Sequence, residues 1–156
     1  MEVVTEVSKI AKELLDALGA QYREIATLDL AGQTVISIQT DDARKLIGMH
    51  GDTVLAIDML VKKIFEKRFP TEEGKDSPMF LIDVNDYRSK QIKDLQTKAL
   101  MMAERARSFQ YDVELTPMSA YERLIVHTTL QDAPNVKTES LGEGRNRRVV
   151  IKYAAE

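Results

Sequence analysis

The 156-residue sequence has no cysteine and no tryptophan, and only 6% of it is aromatic. Without cysteine there is no disulfide, no thiol nucleophile and no zinc-thiolate centre, and oxidising compartments are not suggested. No stretch approaches the roughly 18 apolar residues that a membrane-spanning helix needs. The opening MEVVTEVSKIAKELL lacks the basic segment of a secretory signal, so the expectation is a cytoplasmic protein. Two histidines, His50 and His127, lie far apart in the chain. They suggest no metal set, and neither a metal nor a cofactor is expected. Glycine is scarce as well, with seven in all, so two of them three positions apart in LIGMHGDT (46–53) stand out.

What is present suits a cored globular chain. Hydrophobic residues make up 44% of it, enough for one domain of ordinary size or two small ones. The formal charge of −3 opposes indiscriminate polyanion binding. Its distribution is uneven: residues 1–77 carry 10 Lys and Arg against 14 Asp and Glu, whereas residues 78–156 carry 12 against 11. In the second half Arg145, Arg147 and Arg148 fall within four positions.

Val7, Ile10, Ala11, Leu14 and Leu18 recur at helical spacing, and Gly19 stands where a left-handed cap belongs, so residues 3–18 read as an amphipathic helix. Ala26, Leu28 and Leu30, then Thr34, Ile36 and Ile38, alternate about Ala31-Gly32 as a β-hairpin. Asp41 or Asp42 can cap a short helix through Ile47, and Val54, Ile57, Leu60, Val61, Ile64 and Phe65 mark a helix ending before Pro70. PTEEGKDSP (70–78) has linker composition, yet a hairpin with helices needs a third strand, so MFLIDV (79–84) is assigned back to the first unit. Asn85 or Asp86 can cap a long helix to about Arg107. YDVEL (111–115) reads as a strand, and Ser119 to Glu122 as a capping box opening a helix to Leu130. Strands around 136–140 and 147–153 flank GEGRN.

Glycines at 48 and 51 permit tight dihedrals and let a sugar-phosphate chain approach closely, while the following helix aims its free amides at phosphate. Arg44 and Lys45 add cationic attraction. The plain alternative is a helix-turn-helix corner. In its setting, however, LIGMHGDT resembles a KH domain, with the order helix, strand, strand, helix, helix, strand (αββααβ, type II-like) and Gly48, Met49, His50 and Gly51 as its GXXG loop. The resemblance implies a loop that clamps the backbone of about four single-stranded nucleotides. Lysine or arginine is common at the loop's centre in that family. Met49 and His50 depart from this and lower the expected affinity.

RLIVH places Arg123 and His127 four apart on one helix face. With PMSAYE before it, DAPNVKTES after it and RRVVI beyond, it resembles the RxxxH domain, named for an arginine and a histidine separated by three residues, whose members bind single-stranded nucleic acid. The resemblance implies contacts from Ser119, Arg123 and His127. An ordinary exposed pair is the alternative for Arg123 and His127 taken alone. Arg145, Arg147 and Arg148 are equally readable as a third contact or as a solvated charge run, and on a strand Arg147 and Arg148 face opposite sides.

A KH domain followed directly by an RxxxH domain resembles the Jag family, also called KhpB or EloR, the SpoIIIJ-associated RNA-binding proteins of bacteria; DVNDYR (83–88) matches the family's junction. The expectation is an α+β chain with a KH domain over 1–85. An RxxxH domain over 86–156 follows, with a long helix, a small mixed or antiparallel three-stranded sheet and a second helix. An N-terminal Jag domain is not expected. The family implies binding of single-stranded RNA, with single-stranded DNA as the other nucleic-acid ligand, and a setting in cell elongation and division. It also implies a small KH-domain partner or a homodimer, and the competing reading is a protein-interaction adaptor. A nuclease using His50 or His127 as base has little support, since no nucleophile motif or metal set accompanies either residue.

Overall fold

The computed structural model describes residues 2–155. The chain divides into two compact units, Met1–Ser89 and Lys90–Glu156. Both mix helices with a small sheet, so the fold is α+β.

The first unit begins with α1 (Val3–Ala17), which buries Val7, Ile10, Ala11 and Leu15. The buried stripe runs through Leu15, while Leu18 is 60% exposed. The chain has already turned there: Gly19 has a φ of +67°, its amide donates to Asp16 and that of Ala20 to Leu15, closing a Schellman motif. β1 (Glu24–Leu30) and β2 (Gln33–Gln39) form the expected hairpin about Ala31 and Gly32, which both have positive φ as a tight two-residue turn requires. The register pairs Leu28 with Val35 and Thr27 with Ile36. Ala26, Leu28 and Leu30 therefore lie on the opposite face of the sheet from Ile36 and Ile38.

α2 (Ala43–Ile47) and α3 (Asp52–Arg68) follow, then β3 (Phe80–Val84), which pairs in parallel with β2. Ile36, Ile38, Ile82 and Val84 meet α1 and α3 in one apolar cluster with Leu15, Val54, Ile57, Val61 and Phe65. Each fully buried aliphatic side chain there contributes about 1.5–3 kcal/mol. Leu60 lies outside this cluster and is 45% exposed.

Two helix caps differ from expectation. Asp42 stands at the α2 N-cap but makes no capping bond, and its carboxylate pairs with Lys45 instead. Asn85 and Asp86 have φ of +48° and +59°, whereas a capping residue needs extended backbone. The start of α4 (Tyr87–Phe109) is held instead by the fully buried Asp83, whose carboxylate accepts from the amides of Arg88 and Ser89 and from the Ser89 hydroxyl, each at 2.8 Å. Asn85 spans back to Thr40, accepting from its amide and donating to its carbonyl.

In the second unit, β4 (Val113–Glu114) is shorter than expected. After α5 (Ala120–Leu130), β5 (Val136–Leu141) and β6 (Arg148–Tyr153) complete an antiparallel sheet of order β4-β6-β5. Its core joins Ala99, Ala103 and Ala106 of α4 to Val126 and Leu130 of α5 and to Val136, Val149 and Ile151 of the sheet. Small residues on α4 allow close approach of the helix to its neighbours.

Candidate functional site

The first candidate surface is the corner between α2 and α3. Gly48 has φ +75° and ψ −174°, a region open essentially to glycine alone, and a Cβ there would lie 2.2 Å from Thr53 Oγ1. Gly51 has φ +81°, and its Cβ would lie 2.8 Å from Cε1 of Tyr87. Gly48 is therefore required by the protein's own packing on Thr53, and Gly51 is favoured by its positive φ beside Tyr87, before any ligand is considered. Between them Met49 is 76% exposed, and His50, itself at φ +53°, is exposed as well. Arg44 and Lys45 are exposed; Lys45 pairs with Asp42 at 3.2 Å, a surface contact that holds it weakly, and Arg44 makes no ion pair among the described residues. Asp52 occupies the first turn of α3 and places a carboxylate where free amides would otherwise face an anion.

The second surface surrounds the start of α5. The capping box forms as the spacing predicts: Ser119 Oγ accepts from the Glu122 amide at 3.2 Å, and the Glu122 carboxylate accepts from the Ser119 amide at 2.7 Å. Arg123 is half-buried and donates from Nη1 to the Met118 carbonyl at 2.8 Å. Together Pro117, Met118, Ser119, Glu122, Arg123 and Arg145 line an open cleft of 610 Å³. Three of the expected residues, Ser119, Arg123 and Arg145, thus share one concavity, with Arg145 carried there by the tight turn Gly144–Asn146.

His127 behaves differently. Its Nδ1 lies 2.6 Å from Thr138 Oγ1 and its Nε2 lies 2.8 Å from Ser140 Oγ, so both ring nitrogens are tied to β5. One nitrogen of the neutral ring donates and the other accepts, and the two hydroxyls can satisfy either tautomer. Burial, and then the neighbouring Arg123 charge, hold its pKa below the usual histidine value. His127 is a strut between helix and strand. The remaining arginines also part company. Arg148 is bonded to Glu114 and to the Asn146 carbonyl, whereas the Arg147 side chain is exposed and its carbonyl accepts from the Met118 amide.

Sequence reasoning missed Thr53, Tyr87, Thr138, Ser140 and Glu114, which hold these elements in place. The one available signal was the Thr-x-Ser spacing at 138 and 140, which puts two hydroxyls on one face of a strand. Among the described residues no helix is long and apolar enough to cross a membrane, and no His, Asp and Glu group is placed to hold a metal ion.

The geometry can be set beside known proteins. The family of RxxxH (arginine-three-histidine) domains matches residues 93–153, which contain the whole α5 cleft. The RNA-binding protein KhpB of Bacillus subtilis (strain 168) is 32% identical over 145 residues, covering 85% of this chain and 67% of that protein. The chain belongs to the KhpB family. KhpB of Clostridium symbiosum is 31% identical over 121 residues, 78% of this chain and 52% of the relative. KhpB of Streptococcus pneumoniae serotype 2 (strain D39 / NCTC 7466) is 28% identical over 153 residues, 96% of this chain and 44% of the relative. The chain thus spans about half to two thirds of the length of these KhpB relatives.

Proposed function

We propose that the chain binds single-stranded RNA without catalysing a reaction, using a KH-type Gly48–Gly51 loop and the Arg123–Arg145 cleft of its RxxxH domain. The observation that carries this reading is the cleft itself. It gathers a hydroxyl and two guanidinium groups on one open concavity inside the segment that matches the RxxxH family. Guanidinium forks suit phosphate oxygens, and the apolar Pro117 and Met118 offer a surface for a base. The KhpB relatives, each named an RNA-binding protein, support the ligand class. Two weak contacts on one chain reinforce each other, because the second becomes intramolecular and can raise affinity by about 100-fold or more. The setting proposed, by family, is control of cell elongation and division in the bacterial cytoplasm.

The test is fluorescence anisotropy with single-stranded RNA, and with DNA of the same sequence, over a range of salt. Arg123→Ala with Arg145→Ala is expected to weaken RNA binding by about tenfold or more and to flatten the salt dependence by about 0.7 for each phosphate no longer neutralised. Met49→Asp with His50→Asp is expected to weaken it about tenfold with folding intact. Unchanged affinity in both variants refutes the reading.

One observation favours a second reading, an adaptor that docks a small KH-domain partner or a second copy. Leu55, Met59 and Leu60 are 48%, 58% and 45% exposed on α3. Leu55 and Met59, at i and i+4, make an apolar pair along the helix that leaves the Met49 corner, and Leu60 widens the exposed apolar face beside Met59. Sedimentation showing a dimer that Met59→Lys dissociates, with RNA affinity unaltered, is the outcome expected of that reading.

A further inference from the structure

Nine residues of the chain are aromatic, five Tyr and four Phe, and among the described residues only Phe109 and Tyr111 of these are exposed. Those two lie side by side at the end of α4, with ring centroids 5.9 Å apart and planes tilted by 36°. Single exposed apolar residues are ordinary, but a pair held together in water calls for a ligand. Here the pair is held. Gln110, between them, adopts φ +55°, a conformation glycine usually supplies, which turns Tyr111 back beside Phe109. The Tyr111 amide donates to the Ala106 carbonyl at 3.3 Å, and Arg105 Nε donates to the Tyr111 hydroxyl at 2.8 Å. Tyr111 is fixed from behind and Phe109 rests against it, yet Phe109 is 68% and Tyr111 42% exposed.

The neighbouring cations divide in a telling way. Arg107 is committed, with Nη2 on Glu104 at 2.7 Å and Nη1 on the Pro134 carbonyl at 3.2 Å. Arg105 makes no ion pair among the described residues and spends only Nε on the tyrosine. Its two terminal amino groups remain for an acceptor beside the rings. Aromatic faces with a guanidinium at their edge match a polymer that alternates flat π-surfaces with anionic links.

We infer that Phe109 and Tyr111 form a nucleobase-stacking platform, with Arg105 gripping an adjoining phosphate, and that it extends the path of a single-stranded RNA beyond the α5 cleft. The inference rests on the RNA-binding reading above. Stacking of this kind is tolerant of sequence, since every base has a π-face. Met101, one turn before Arg105 and 61% exposed, makes a second copy of the chain the competing occupant.

The test uses the full chain with adenine and uracil RNA homopolymers of about 24 nucleotides. Leucine keeps apolar bulk but removes the π-face, so Phe109→Leu with Tyr111→Leu is expected to weaken both homopolymers about tenfold and to leave the salt slope unchanged. Arg105→Ala is expected to flatten that slope by about 0.7. In Phe109→Trp the new indole is the chain's sole tryptophan, and its emission is expected to fall on titration with RNA. Wild-type affinity in the double leucine variant, or an indole blind to RNA, overturns the platform while leaving the cleft standing. So does unchanged RNA affinity accompanied by disappearance of a dimer in sedimentation, which assigns the rings to a second copy. If the wild-type chain binds neither homopolymer, the RNA-binding reading falls and the platform with it.

Discussion

At the Gly48–Gly51 corner the backbone is fixed and the side chains are free; around α5 the side chains are fixed and the surface is built from what they leave over. Met49 and His50 project into solvent from a turn that Gly48 closes tightly against Thr53 and Gly51 closes beside Tyr87. Arg123, His127 and Arg148 all make internal bonds, to Met118, to Thr138 and Ser140, and to Glu114. A motif residue can therefore serve the shape of a site through its internal bonds. His127, tied to Thr138 and Ser140, is the clear case. The comparison also separates two experimental signatures: damage at the corner should show in backbone substitutions, and damage around α5 in side-chain truncations.

The largest effect is expected at Gly48. A Cβ at φ +75°, ψ −174° and 2.2 Å from Thr53 Oγ1 combines backbone strain with a clash, for about 3 kcal/mol or more of destabilisation in Gly48→Ala. Gly51→Ala should cost less, since the Tyr87 ring that it meets can move. Gly19→Ala, which meets nothing within 4 Å, should cost only about 1 kcal/mol. Urea unfolding followed by circular dichroism ranks the three, and a Gly48→Ala protein as stable as Gly19→Ala would show that the corner is not backbone-limited.

Next comes His127→Ala, which strands two hydroxyls and opens a gap between α5 and β5, with an expected loss of about 2–3 kcal/mol. The other histidine supplies the contrast: His50→Ala, at an exposed position, should stay within about 0.5 kcal/mol. Equal losses in the two variants would erase the distinction between the corner and the α5 surface.

These contrasts also explain what could be read from the sequence. Ala31-Gly32 announces a hairpin because a two-residue turn needs positive φ at both positions. Ser119 and Glu122 announce a cap because both partners lie within one turn of helix. Arg123 and His127 share a face by helical spacing alone. The partners that decide what these residues do were not legible. Thr138 and Ser140 lie 11 and 13 positions beyond His127, and Glu114 lies 34 before Arg148, so only the folded sheet brings them together. Asp83 was hidden for the same reason. Its carboxylate reaches the α4 amides because Asn85 and Asp86 turn left-handed to tie the chain to Thr40 and Ser37.

A smaller effect sharpens the electrostatic side of the comparison. The corner has Asp52 in the first turn of α3 and no cation at its tip. His50→Lys places one there, at a position already exposed and left-handed. RNA affinity at low salt should rise about threefold and the salt slope steepen by about 0.7, with stability unaltered. A lysine that changes neither would mean that no phosphate passes the loop.

The smallest effect concerns pH, and its sign follows from the burial of His127. Its folded-state pKa lies below the ordinary value of 6.5, first because burial disfavours the charged ring and then because Arg123 repels it. The unfolded chain accordingly takes up the proton first as pH falls. The stability contributed by the neutral ring is complete above about pH 6.5 and is lost as pH drops through the lower folded-state value. Both ring nitrogens keep oxygen partners when protonated, since a hydroxyl can accept as well as donate, so the loss is one of desolvation and repulsion, with no bond broken. Arg123→Gln removes the repulsion and should shrink the decline in stability between about pH 7.5 and 5.5. Urea midpoints at the two pH values measure the decline, and one as steep in Arg123→Gln as in the wild type would show that the guanidinium charge does not act on His127.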